Sequence, residues 1–211
     1  MIISRPLKYV YIATPKTGTR TMYKWLKKHY QGKQVGDHLT EIPAGCEGYF
    51  VFTTVRSPYP RIVSSWWSTV MQEEDRYARR QSLDAWKGKH DLETFLLWLL
   101  AGRPFPKGTS CRALDHFWSG SNQTDFLANV AHIDRIIKLE ELPVELPKLP
   151  FVTSPHPETL ICNASKDRKH WMEYMTPRIV HLVGEWAAPD FAAYGYSFLR
   201  GCRFKREGGL K

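Results

Sequence analysis

The sequence predicts an α/β domain in which a central, mostly parallel sheet is flanked by helices. Three observations point there. Short β-branched and aromatic runs recur along the chain, helical periodicities fill the stretches between them, and the first run enters its helix through a tight polar turn. At 211 residues the chain is long enough to bury a core without staples, and its length favours one domain over two. Residues 1–211 are therefore read as a single domain with a short basic tail over about 200–211.

The run KYVYIA at 8–13 predicts the first strand, which Thr14 and Pro15 stop. From Thr19 onward, Met22, Trp25, Leu26, His29 and Tyr30 recur at helical spacing, and Gly32 is expected to close that helix. A short strand is expected before His38. GYFVFTTV at 48–55 is apolar almost throughout, as suits a strand covered on both faces. Arg56, Ser57 and Pro58 end it, and a long helix is expected from about 60 to 80. Residues 91–101 read as an apolar core helix, 103–108 as a loop, and 109–129 carry no clear period. A third strand is expected at 133–139, then a turn or short helix over 140–146. Two closing helices are expected at 168–175 and 177–194.

The balance of 30 Lys+Arg against 21 Asp+Glu leaves a net charge of +9, which favours polyanionic partners: nucleotides, sulfated or phosphorylated ligands, nucleic acid or acidic membranes. Lys24, Lys27 and Lys28 cluster, as do the basic residues of 200–206; the rest are dispersed. The longest apolar run, 95–101, is too short to cross a bilayer, and the first residues have no secretory pattern. A cytoplasmic protein without a membrane anchor is expected. Cys46, Cys111, Cys162 and Cys202 form no CxxC pair and read as ordinary thiols, and no His/Asp metal cluster is evident.

Two segments carry chemistry. The first is Thr14-Pro15-Lys16-Thr17-Gly18-Thr19-Arg20-Thr21, between a strand and a helix. A helix N-terminus offers unpaired N–H groups and the positive end of a dipole. Gly18 admits close approach of an anion, Thr17, Thr19 and Thr21 bring hydroxyls, and Lys16 brings a mobile charge. The Walker order GxxxxGK[ST] is missing, which disfavours a Walker NTPase. The plainer alternative is a polar turn with a threonine N-cap. The second segment places Arg56 at the carboxyl end of an apolar strand and Ser64 eight residues on, in the next helix. Open α/β sheets bind ligands at that edge, so the pair is suited to converge on one phosphate. Arg61 would join them or face solvent, and the plainer alternative puts Arg56 in a structural ion pair.

Together these segments resemble the sulfotransferase superfamily. PKTGTRT (15–21) is similar to its 5′-phosphosulfate loop, and VRSPYPRIVSSWW (55–67) to its 3′-phosphate motif, with the same spacing from arginine to serine. RIIKLEEL (135–142) is similar to the family's late strand and acidic turn. Asn163, Tyr174, Thr176, Pro177, Asp190 and Tyr194 lie in a region resembling the carboxyl end of carbohydrate-type and bacterial members. The likeness spans about 8–198.

The resemblance implies a P-loop-like fold and a donor, 3′-phosphoadenosine-5′-phosphosulfate (PAPS), with adenosine 3′,5′-bisphosphate as product. The acceptor it implies is a hydroxyl on a carbohydrate or small metabolite. It assigns Lys16 to the leaving oxygen, Thr17, Gly18, Thr19, Arg20 and Thr21 to the 5′-phosphate, and Arg56 and Ser64 to the 3′-phosphate. No metal is required. His38 is the candidate base, with Glu41 in reserve. Lys166, Arg168 and Lys169 are read as a solvated helix face, and Trp118 as a stacking candidate for a sugar or adenine. Two other classes are weighed against this: a P-loop-like kinase using ATP, which would need Mg²⁺, and a basic nucleic-acid-binding protein, whose affinity would fall steeply with salt.

Overall fold

The computed structural model describes residues 1–68, 91–102, 121–154 and 169–199. Trp118, Lys166, Arg168, the basic tail and the expected helix beyond residue 68 lie outside the described residues. In chain order the strands are β1 (Ile2–Ser4), β2 (Tyr9–Ile12), β3 (Lys33–Gln34), β4 (Phe50–Val55) and β5 (Arg135–Lys138). The α-helices are α1 (Thr19–His29), α2 (Pro58–Trp66), α3 (Leu92–Leu100), α4 (Gln123–Leu127), α5 (Leu142–Glu145), α6 (Pro177–Trp186) and α7 (Ala188–Tyr194). The chain divides into two compact units: Met1–Ser57 with Cys111–Arg168, and Pro58–Ser110 with Lys169–Lys211.

The first unit is α/β. Its sheet runs in the order β3-β1-β2-β4-β5. β2, β4 and β5 are parallel, whereas β1 is antiparallel to both β2 and β3. The sheet is thus mixed, not mostly parallel as the sequence suggests. The reason is local: only four residues join β1 to β2, enough for a hairpin but far too few for a crossover. Tyr9 to Ile12 and Val51 to Val55 are buried throughout, as expected for strands covered on both faces.

α1 buries Met22, Trp25 and Leu26 in a core with Tyr9, Tyr11, Phe52 and Ile137 from the strands, and Leu142, Leu146, Leu149 and Phe151 from the segment after β5. Trp25 is fully buried, and truncating it to alanine would cost about 3–5 kcal/mol. The helix stops at Tyr30, whose N–H bonds the Leu26 carbonyl, with Gln31 in the left-handed region at φ 51°. Gly32 has a packing role: a Cβ there would lie 2.8 Å from the Tyr9 hydroxyl oxygen and 2.5 Å from Ile2 Cγ2.

In the second unit every described element is helical. Asp91 caps α3 by accepting the Thr94 N–H at 2.8 Å, and α3 packs on α6. The sequence reading joined 177–194 into one helix, but the helix breaks at Ala187, with Pro189 in the first turn of α7. Proline has no N–H for a continuing helix. The expected helix at 168–175 is a 3₁₀ turn over Trp171–Tyr174. Tyr59 of α2 stacks on Trp171 at 6.2 Å and meets Phe191 edge-on at 5.4 Å.

Candidate anion-binding and catalytic site

The carboxyl ends of β2, β4 and β5 share one edge of the first unit's sheet, and the loop from Ala13 to Gly18 leaves β2 there. Five hydroxyls organise it. Thr53 donates to the Ile12 carbonyl at 2.8 Å, and Thr14 and Thr53 share a 2.8 Å contact. Thr54 donates to the Thr17 carbonyl at 3.1 Å, and Tyr11 reaches Thr54 Oγ1 at 2.7 Å. Thr17 donates to the Thr14 carbonyl at 2.8 Å. Burial pushes the Tyr11 phenol far above its usual range, so it stays a neutral donor. A fully paired buried network of this kind holds a loop in one shape.

That network uses groups the sequence reading had reserved for a ligand. The Thr19 hydroxyl also donates to the Thr14 carbonyl, at 3.0 Å, so the protons of Thr17 and Thr19 are spent within the loop. Thr21 is buried on α1, and Arg20 is exposed on its first turn. What the loop offers outward is backbone. Gly18 is the N-cap of α1, at φ 84° and ψ 22°, and no side chain caps the helix. The plainer reading of a threonine-capped turn therefore fails. The first-turn amides have no intrahelical acceptor.

Lys16 also has a positive φ, 65°, whereas Thr17 between it and Gly18 does not. Alternating hand along successive residues turns their N–H groups toward one concavity, which suits an anion. A left-handed lysine is strained by about 1–3 kcal/mol, and the hydroxyl network is what holds it. Gly18 is doubly required: its φ disfavours a side chain, and a Cβ would lie 2.6 Å from Leu139 Cδ1 just beyond β5.

Arg56 follows β4 directly and is half-buried. Its Nη1 donates to the Lys16 carbonyl at 3.4 Å, so the two basic residues named from sequence meet. The buried amide of Gln123 grips the Arg56 backbone on both sides, accepting its N–H at 2.7 Å and donating to its carbonyl at 2.9 Å. Glu140 accepts the Ser57 N–H at 2.9 Å. Sequence reasoning missed Gln123 altogether; it had noted an acidic turn at Glu140 but assigned it no partner.

His38 stands beside the loop. Its Nδ1 lies 2.8 Å from the Ala13 carbonyl oxygen, and a carbonyl only accepts, so Nδ1 carries the proton. The neutral ring then presents a lone pair at Nε2, which has no hydrogen-bond partner among the described residues. Burial pushes its pKa below the usual histidine value. Met1's amino group and Lys16 push the same way, while the Ala13 carbonyl and Asp37 oppose. At neutral pH the ring is therefore a free base. Its φ of 52° places it in the left-handed region. Glu41, the reserve, is exposed.

Ser64 is half-buried in α2 and belongs to the second unit, as does Arg61. Arg61 does not face solvent. It is fully buried with Asp190, Nη1 to Oδ2 at 3.9 Å, and its guanidinium lies 5.5 Å from the Trp186 ring centre. Lys169 is exposed. Among the described residues no group of His, Cys, Asp and Glu could hold a metal ion. No described helix is long and apolar enough to cross a membrane. Comparison of the chain with family models, with curated proteins and with solved structures found no match.

Proposed function

We propose that the protein is a sulfotransferase that moves a sulfuryl group from PAPS to the hydroxyl of a carbohydrate or small metabolite. The observation that carries the reading is the meeting of three features at one sheet edge. These are an uncapped helix start behind a left-handed lysine, an arginine bonded to that lysine's carbonyl, and a neutral histidine oriented by the carbonyl that opens the same loop. The resemblance of PKTGTRT and VRSPYPRIVSSWW to the two donor motifs of the superfamily supplies the identity of the anion.

On this reading the loop over 16–21 is a P-loop-like cradle for the 5′-phosphosulfate, and Arg56 takes the 3′-phosphate. His38 Nε2 accepts the acceptor's hydroxyl proton as its oxygen bonds to sulfur. The bond from sulfur to the bridging phosphate oxygen breaks, and Lys16 with the first-turn amides stabilises the charge that collects there. Adenosine 3′,5′-bisphosphate leaves as product, and the proton on His38 passes to solvent.

Turnover of labelled PAPS against pooled hydroxyl acceptors, read by mass spectrometry as a sulfate-sized gain, tests this. His38→Ala and Lys16→Ala are each expected to lower kcat by about 10²–10⁴-fold. A rate near wild type in either variant removes that residue from the chemistry.

A further inference from the structure

We propose that the outer face of α1 is a docking strip for an acidic polysaccharide chain. Arg20, Lys24, Lys27 and Lys28 are all exposed and, with Tyr23, line a shallow, open depression of about 480 Å³. Their spacing of four, three and one residues puts them on one helical face, spanning about 12 Å along the axis. None of the four forms an ion pair with a described residue, and α1 has no acidic residue in its first turn. Four unneutralised cations on one face repel each other unless an anion of matching length lies over them.

The lining speaks against two classes of polyanion, single strands of nucleic acid and acidic membranes. Single-stranded nucleic acid is held by aromatic faces on which bases stack. The only aromatic ring here, Tyr23, is buried, and its hydroxyl is bonded to the Gly36 carbonyl. A membrane-seeking helix exposes apolar side chains beside its charges. This strip exposes none: Met22, Trp25 and Leu26 all point to the core. What remains is a row of mobile point charges, three of four being lysine, suited to sulfates or carboxylates at variable spacing on a flexible sugar chain. The inference rests on this charge pattern and stands apart from the sulfuryl-transfer reading.

The test measures binding of the full chain to a size-defined heparin oligosaccharide, to a 20-mer of oligothymidylate and to phosphatidylserine–phosphatidylcholine vesicles, over a range of salt. The triple variant Lys24→Gln/Lys27→Gln/Lys28→Gln is expected to lose about tenfold in heparin affinity. The triple Arg5→Gln/Lys8→Gln/Lys33→Gln, with the same net charge and equally exposed positions, is expected to lose less than about twofold. Retained adenosine 3′,5′-bisphosphate binding by the α1 triple would separate this strip from the donor site. Lys27→Glu alone, a single exposed change, gives the same sign should the triple fold poorly. Equal losses in the two triples, no heparin binding by the wild type, or tighter binding of oligothymidylate or vesicles than of heparin would each overturn the proposal.

Discussion

Arg56 and Arg61 stand five residues apart in one motif, yet they belong to different units and do opposite work. Arg56 is half-buried, with its backbone gripped by Gln123 and its guanidinium on a neutral carbonyl. Arg61 is fully buried beside Asp190 and over Trp186, and its charge is consumed by the scaffold. The guanidinium after β4 thus rests on a carbonyl, while the start of α2 uses one to fix helices to each other. Two arginines of one motif can thus meet different surroundings, one a backbone carbonyl and the other a carboxylate and an indole.

Substitution of the two arginines sharpens the contrast. Arg61→Met leaves Asp190 buried without its counter-charge, and about 3–5 kcal/mol of stability should be lost, read as a fall in thermal midpoint. Adding Asp190→Leu should recover most of it. Arg56→Met should leave the midpoint within about 1 kcal/mol while weakening adenosine 3′,5′-bisphosphate by about 10–100-fold. If Arg56→Met unfolds the protein as Arg61→Met does, the contrast is broken.

A smaller effect is expected at the loop. Gly18→Ala must hold a side chain at φ 84° and displace Leu139, so a loss of about 1–3 kcal/mol is expected in denaturant unfolding. Smallest is the pH effect of His38. Its pKa in the folded protein lies below the unfolded value, so the unfolded chain takes up the proton first as pH falls. The stability tied to its neutral form is present above the ordinary histidine pKa and declines as pH drops below it. The acid limb of kcat/KM should likewise have its midpoint below that value, and His38→Gln should remove both dependences.

The same contrast explains what was legible in the sequence. β2, β4, β5 and the starts of α1 and α2 stand out because apolar runs and helical periods persist over enough residues to be seen. β1 has three residues and β3 two, and a run that short has no readable alternation. The hairpin they create is what turns the sheet from mostly parallel to mixed. Lys16, Gly18 and Arg56 could be named because they stand where an apolar run gives way to a helix, and His38 because it follows the first such unit. Gln123 was not, because a glutamine buried against a backbone looks in sequence like one facing water. The threonines of the loop were noticed, but whether a hydroxyl points to a ligand or back to the Thr14 carbonyl depends on backbone angles that no pattern encodes.

Calorimetric titration with adenosine 3′,5′-bisphosphate, set against ATP with Mg²⁺, is the most direct test of the claim that the β2 and β4 ends serve one adenylate carrying phosphate at both ends. Tighter binding of the bisphosphate than of ATP is expected, without metal, with a marked loss in both Lys16→Ala and Arg56→Met. Preference for ATP, or bisphosphate binding that neither variant disturbs, would contradict it.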